Sequence, residues 1–361
     1  RDNYQARKRA SSQHQFLTEV LPELKLGNGM ATDWIFDGQD KEGNWKLKRA
    51  EVGITLRHLL LHVSGFGYGF TAEEFRDLYE PYGKLPELGS GATAAYMTPR
   101  SFESGTDWLY GCSTDWIGRF VERLSHLTLQ EAYQTLVFDP LGISRGELCL
   151  FRSKEMDLNR ARVSMKIGES FDDSMPFDTP QFDGAPPVGF AEFATAGLWG
   201  TVPAYARILE SLVHGTAPPH RYLTSDTSPK PLISKALWET ATSDGLASHG
   251  ISIRSPVLKT AMPHVMNNID TWYPAKTVEG GAKGEGWTMM QSFYNRRESS
   301  SGMSVGTIGW AGLANSYWFV DQEVGVGGVI LAQFLPFGDE KMMKTRDEFD
   351  EMVYKFKRAE F

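Results

Sequence analysis

Asp107-Trp108-Leu109-Tyr110-Gly111-Cys112-Ser113-Thr114-Asp115-Trp116 sets one tyrosine on a polar turn directly ahead of an amphipathic run. After it, Trp116, Ile117, Phe120, Val121 and Leu124 recur at helical spacing, with Arg119, Glu122 and Arg123 on the other side. The pattern predicts a core-facing helix beginning at Ser113 or Thr114, so Tyr110 stands on a turn backed by a rigid element. A phenol, with a reference pKa of about 10, accepts a proton near neutrality only where a neighbouring cation lowers that value. Tyr110 is therefore the first candidate for chemistry, although a tyrosine ahead of a helix also reads as a packing residue with a satisfied hydroxyl.

Upstream of this turn, Ile54-Thr55-Leu56-Arg57-His58-Leu59-Leu60-Leu61-His62-Val63-Ser64-Gly65 reads as a short apolar helix opened by Thr55 and ended by Gly65. His58 and His62 would share a face of it at a spacing that a metal can use, but no glutamate lies between them and no third ligand is evident. Both are read as structural, and no metal and no cofactor is expected. Earlier still, residues 1–15 are polar and basic, and Phe16 to Leu24 has an apolar repeat stopped at Pro22. Gly27 to Trp45 looks like a loop, and Thr71 to Tyr79 like a further helix.

Downstream, Leu129 to Phe138 is helical until Pro140-Leu141-Gly142-Ile143 breaks it. Residues 150–195 are polar without strong period, and Phe171 to Pro187 reads as an ordered surface loop. Thr201-Val202-Pro203 predicts a capped helix burying Tyr205, Ile208, Leu209, Leu212 and Val213. Pro218 to Lys230 is a candidate hinge, followed by a short helix from Ser234 to Ala241. From about Lys283 the period switches: Gly286–Gln291, Met303–Trp310, Ser316–Asp321 and Gly327–Phe334 look like three or four strands, and Met343 to Phe356 like a helix able to cover them. The expected fold class is α+β, an antiparallel sheet flanked by helices beside a separate helical lobe. Residues 1–235 are assigned to the mainly helical lobe carrying the Tyr110 turn, and 236–361 to the sheet with its C-terminal helix.

Composition limits the function classes. With 41% hydrophobic and 23% charged residues the chain reads as globular and soluble. A net charge of -8 with no basic stripe argues against a nucleic-acid or anionic-membrane partner. No membrane span is expected, since the longest apolar stretch, Val324 to Phe337, is interrupted by glycines and Gln333. Only Cys112 and Cys149 are present, too few for a disulfide framework, and the N-terminal residues show no apolar signal core, so a cytoplasmic location is expected.

Five pieces occur in a telling order: Leu59-Leu60-Leu61-His62-Val63-Ser64-Gly65; Trp108-Leu109-Tyr110-Gly111; Pro140-Leu141-Gly142-Ile143; Gly197-Leu198-Trp199-Gly200-Thr201 through Tyr205-Ala206; and Trp310-Ala311-Gly312-Leu313 through Leu335-Pro336-Phe337-Gly338-Asp339. Together they resemble the serine β-lactamase and penicillin-binding superfamily, in particular its class C-like esterases and fungal acyltransferases, from roughly Phe16 to the C-terminus. The resemblance implies a β-lactamase/transpeptidase-like fold and acyl transfer by a serine nucleophile, with Tyr110 taking and returning the proton. It matches Trp310-Ala311-Gly312 to the family's third-strand element and puts the N–H of Leu313 in the oxyanion hole. Tryptophan at 310 in place of lysine removes a carboxylate anchor, so an ester or thioester is expected rather than a β-lactam. Phe66, Tyr68 and Trp199 are candidate substrate-binding walls with Trp310. Cys112 stands where the family often has asparagine, and a thiol is a poor replacement for an amide. The expected partners are a small-molecule acyl donor and acceptor, with an acyl carrier or acyl thioester as one form of donor.

The family's Ser-x-x-Lys occurs nowhere in these 361 residues. The resemblance places it ahead of Phe16, together with N-terminal strands and most of a central helix. Two expectations follow: the chain is a fragment or processed form of an acyltransferase or esterase, or it is a relative that has lost the nucleophile. The second kind would bind a small hydrophobic metabolite or use Tyr110 in non-covalent isomerase or lyase chemistry.

Overall fold

In the computed structural model, residues 12–80, 91–172, 194, 197–214, 232–251, 253, 266–267, 285–296 and 301–359 are described. The chain divides into two units. One takes Arg1–Leu129, Val188–Ala196 and Ser248–Ile251; the other takes Gln130–Pro187, Gly197–Ala247 and Ser252–Phe361.

In the first unit, helix α1 (residues 12–20) precedes the hairpin β1 (Trp34–Gln39) and β2 (Trp45–Arg49). This hairpin lies partly inside the stretch read as a loop. Its register shifts between Phe36 and Gln39, where Gly38 has φ 72°, and that irregularity breaks the period-2 signal a strand would otherwise give. Arg100 extends the pairing: its carbonyl accepts from Phe36 N–H at 2.9 Å, and its own N–H donates to Trp34 O at 2.8 Å. Helices α2 (Leu56–Leu60), α3 (Glu73–Tyr79) and α4 (Ser113–Ser125) complete the described part of the unit. Helix α4 buries Trp116 and Phe120, as the apolar spacing requires, and His126 ends it in the left-handed region.

The second unit opens along α5 (Leu129–Tyr133), whose helix continues as a π turn to Phe138 before Gly142, at φ 63°, ends it. The stretch 150–172, which carries no strong period, forms β3 (Leu148–Cys149) at its edge, α6 (Lys154–Asn159) and the hairpin β4 (Ser164–Ile167) and β5 (Ser170–Asp172). Strand β4 also pairs, in parallel, with a strand 170 residues later, Ser164 opposite Phe334, so no local pattern announces it. Strand β6 (Trp199–Gly200) pairs with β3. Helix α7 (Val202–Val213) starts as the sequence requires, with Pro203 in its first turn and the Thr201 hydroxyl accepting from Ala204 N–H. Ser234 caps α8 (Lys235–Thr242) in the same way. The proposed hinge, 218–230, and most of the loop 171–187 lie outside the described residues.

The main sheet of this unit is antiparallel, with β7 (Gly286–Trp287), β8 (Phe293–Tyr294), β9 (Ile308–Gly312), β10 (Ser316–Asp321) and β11 (Val326–Ile330) in the order β11-β10-β9-β8-β7. Strand β12 (Phe334–Leu335) joins β4 instead. Leu209 of α7 packs with Ile308 and Val320 on one face of the sheet. Phe319 stacks on Tyr354 of α9 (Glu340–Ala359) at 5.7 Å. Each such fully buried aliphatic side chain stabilises the unit by about 1.5–3 kcal/mol over an exposed one. The fold class is thus mixed α+β with antiparallel sheet, as the change of period indicates. Cys112 and Cys149 form no disulfide, and no helix among the described residues is long and apolar enough to cross a membrane.

Candidate active site

Tyr110 is half-buried on the turn just before α4, and one residue bonds to its neighbour on either side. The carbonyl of His62 accepts from Leu109 N–H at 3.0 Å, and its Nδ1 lies 3.4 Å from Gly111 N–H. Since Nδ1 faces a donor, the neutral ring carries its proton on Nε2, which points at Thr114 Oγ1, 3.4 Å away. The imidazole lies tilted against the tyrosine ring, with centroids 4.9 Å apart. His62 is fully buried and sits at φ 53°, an uncommon conformation for a residue other than glycine.

That conformation corrects the expected helix. Helix α2 stops at Leu60, short of Gly65, so His58 and His62 never share a face. His58 instead closes a capping box, its Nδ1 accepting from Thr55 N–H at 3.3 Å. Burial, then His249 and Arg100 nearby, depress its pKa to about 4. Among the described residues no cluster of three His, Cys, Asp or Glu side chains is placed to hold a metal.

Gly111 explains the tightness of the turn, because a Cβ there would come within 2.2 Å of the Phe66 carbonyl and 2.4 Å of Gly67 Cα. Tyr68 meets the Tyr110 ring edge-on at 5.7 Å and donates its O–H to Asp115 Oδ2 at 2.7 Å. Asp115, fully buried in the first turn of α4, also suits the positive end of the helix dipole. Phe66 stacks on Trp116 at 6.2 Å, and Cys112 directs its Sγ inward to Tyr96 O at 3.8 Å. Phe66, Tyr68 and Cys112 have no exposed surface.

The remaining sequence candidates belong to the second unit. Trp310 on β9 pairs with Trp318 and meets Trp287 edge-on at 4.5 Å. Gly312 is the exposed last residue of β9, and Leu313, half-buried, begins the turn to β10. Among the described residues the Leu313 N–H makes no hydrogen bond. Trp199, half-buried on β6, has the Arg152 guanidinium over its ring at 3.9 Å, itself held by Asp157 at 2.9 Å. The structure therefore brings Tyr110, Tyr68, Phe66 and Cys112 together in one unit and carries Trp310, Gly312, Leu313 and Trp199 in the other. Sequence reasoning missed Asp115 and the part played by His62; a histidine three residues ahead of Gly65 was the one available signal, and it fits a helix end as well as a helix face.

The family model described as Beta-lactamase matches residues 42–350. The chain belongs to the beta-lactamase family. It is an enzyme of the serine β-lactamase type, within a group whose named members are acyltransferases and esterases. Among similar proteins, the acyltransferase calJ of Penicillium decumbens is 28% identical over 91% of this chain and 71% of its own. The monacolin J acid methylbutanoyltransferase of Aspergillus terreus is 26% identical over 89% and 71%. The lovastatin esterase of Penicillium rubens is 28% identical over 84% and 70%. Among solved structures, a variant of simvastatin synthase from Aspergillus terreus superposes with a TM-score of 0.67 at 21% identity, over 95% of this chain and 74% of that one, a likeness of fold.

Proposed function

We propose that this family member transfers or hydrolyses the acyl group of an ester or thioester of a small hydrophobic molecule through a serine acyl-enzyme. In this reading Tyr110 is the general base that takes the nucleophile's proton and the acid that returns it to the leaving group. The Leu313 N–H, at the end of the Trp310-Ala311-Gly312 strand, donates to the developing oxyanion. Phe66 and Tyr68 back the tyrosine, Cys112 follows it, and Trp199 and Trp310 contribute aromatic walls. One observation carries the reading: a single buried residue, His62, accepts from the N–H of the residue on either side of Tyr110, Leu109 and Gly111, and so mounts the turn that bears the phenol.

The named relatives support the substrate class, since methylbutanoyl transfer to monacolin J acid and lovastatin cleavage both concern esters of small molecules. An acyl carrier or other thioester as donor, and a cytoplasmic location, go with the same reading. The chemistry needs a serine and a cation beside Tyr110, and these 361 residues contain no Ser-x-x-Lys. Reading the coding region ahead of Arg1 for that motif is the first test.

At the bench, full-length protein is incubated with a fluorophosphonate or an activated ester and weighed intact. An acyl adduct that Tyr110→Phe forms much more slowly is the expected result. A folded, full-length protein that takes no label would instead mark a repurposed relative, one that binds a small hydrophobic metabolite or uses Tyr110 without a covalent intermediate.

A further inference from the structure

The β9–β10 ladder ends at the pair Gly312 and Ser316, leaving Leu313, Ala314 and Asn315 as a three-residue turn outside it. Asn315 takes the left-handed conformation, φ 61°, that such a hairpin needs at its last position. Its side chain is fully buried, and every hydrogen-bonding position on it is used. Nδ2 donates to the carbonyls of Phe334 and Pro336, both at 2.9 Å. Oδ1 accepts from Gly338 N–H at 2.9 Å, from Tyr317 O–H at 3.1 Å and from Asp339 N–H at 3.4 Å. The bond set also fixes which end of the amide is which, because both nitrogen contacts are carbonyls and all three oxygen contacts are donors.

We propose that Asn315 is a positioning residue for the Leu313 N–H, pinning the turn to the segment 334–339 so that this donor holds one direction. The inference rests on the acyl-transfer reading for what the donor does. A turn tied only by the ladder at its two ends could tilt its central peptides. One tied through a satisfied buried amide to a chain segment some twenty residues later has far less freedom. An oxyanion donor acts by being aimed before charge develops, and misplacement by about 1 Å from a substitution away from the chemistry can cost up to ~10²-fold in rate.

Two variants of the full-length protein test this. Asn315→Gly keeps the left-handed backbone without penalty and deletes all five hydrogen bonds. Asn315→Asp keeps the three acceptor contacts and loses both donations. For each, acylation by p-nitrophenyl butyrate is measured alongside amide hydrogen exchange of the peptide covering 308–316, with circular dichroism and thermal melting as the check on folding. The expected result is a fall in kcat of roughly 10- to 100-fold with KM within about twofold, and faster exchange at 313–315 while β10 stays protected.

A merely structural role would lower the melting temperature and leave kcat of the folded protein intact, and that outcome overturns the proposal. So does unchanged protection at 313–315 in a folded Asn315→Gly protein. Wild-type protein that never acylates would sink the acyl-transfer reading instead, and the exchange measurement then still decides whether Asn315 holds the turn.

Discussion

Two turns, one in each unit, are held by a buried polar residue with positive φ, and they are held differently. His62 grips the Tyr110 turn with its backbone carbonyl, a ring nitrogen at 3.4 Å and a tilted ring contact. Asn315 grips its own turn with five contacts of 2.9–3.4 Å and no ring. The first mount ties Leu109 and Gly111 on either side of Tyr110 and leaves the phenol at the end of a side chain with its own torsions. The second fixes a peptide N–H outright. The contrast suits the two roles proposed, since a group that passes a proton has to reach two partners in turn, whereas an oxyanion donor serves by staying still.

The comparison breaks first at Tyr110. Tyr110→Phe keeps the ring contacts and removes the proton acceptor, so acylation by an activated ester should fall by roughly 10²–10⁴-fold with an unchanged fold. A loss below about tenfold, read by stopped-flow acylation, would leave the turn with no catalytic part to play.

A region remote from either turn supplies the next largest effect and acts as a control. Asp350 of α9 is buried, and neither of its carboxylate oxygens has a hydrogen-bond partner among the described residues. Burial is the main cause that pushes its pKa up to about 7, with Arg346 opposing and Asp347 adding to the rise. The folded state therefore binds this proton more tightly than the unfolded one. The carboxyl costs nothing below about pH 4, and stability falls as pH climbs towards 7. A rise of about three pH units at about 1.4 kcal/mol each sets an upper bound of ~4 kcal/mol. Asp350→Asn should flatten that slope in urea titrations between pH 4 and 8 without moving the Tyr110-dependent rate; an unaltered slope would refute the assignment.

Gly111→Ala sharpens the comparison from the packing side. The added methyl would sit 2.2 Å from the Phe66 carbonyl, so the turn must shift. A loss of about 1–3 kcal/mol of unfolding free energy, read by urea titration, is expected, together with a fall in acylation rate. Gly312→Ala, where the nearest atom to the new methyl is Ser316 Cβ at 3.5 Å, should change stability by less than about 1 kcal/mol. Equal losses at the two glycines would remove the distinction drawn between the turns.

His62→Gln gives the smallest expected change in rate, about tenfold or less, because glutamine can still offer an acceptor to Gly111 N–H while the ring contacts with Tyr110 and Trp108 and the Nε2 contact with Thr114 are lost. Wild-type kinetics in this variant, with unaltered exchange at 109–111, would show that the Gly111 and Phe66 backbones hold the turn without the histidine.

Much of the fold was legible because its signals are local. The apolar spacing after Ser113, Thr201 with Pro203 ahead of α7, and the alternation from Lys283 onward each lie within a dozen residues, and the elements formed where those signals stand. What escaped has its partners elsewhere. The β1–β2 hairpin carries a register shift at Gly38, and β4 pairs with β12 across the length of the second unit. The candidate site divides in the same way. Tyr110, Gly312 and Leu313 could be named from short motifs, but their supports could not. His62 read as a helix-face residue because nothing within the motif shows the chain leaving the helix at Leu61, and Asn315 carried no signal at all because its five partners lie at 317 and in 334–339.

By itself the sequence determined the class of fold, its main helices and sheet, and the two turns most worth attention, since periodicity and capping are properties of neighbouring residues. Only the tertiary structure decided that a histidine and an asparagine hold those turns. A buried side chain's hydrogen bonds must be satisfied wherever the folded chain brings a partner, and contact order along the sequence does not record where that is.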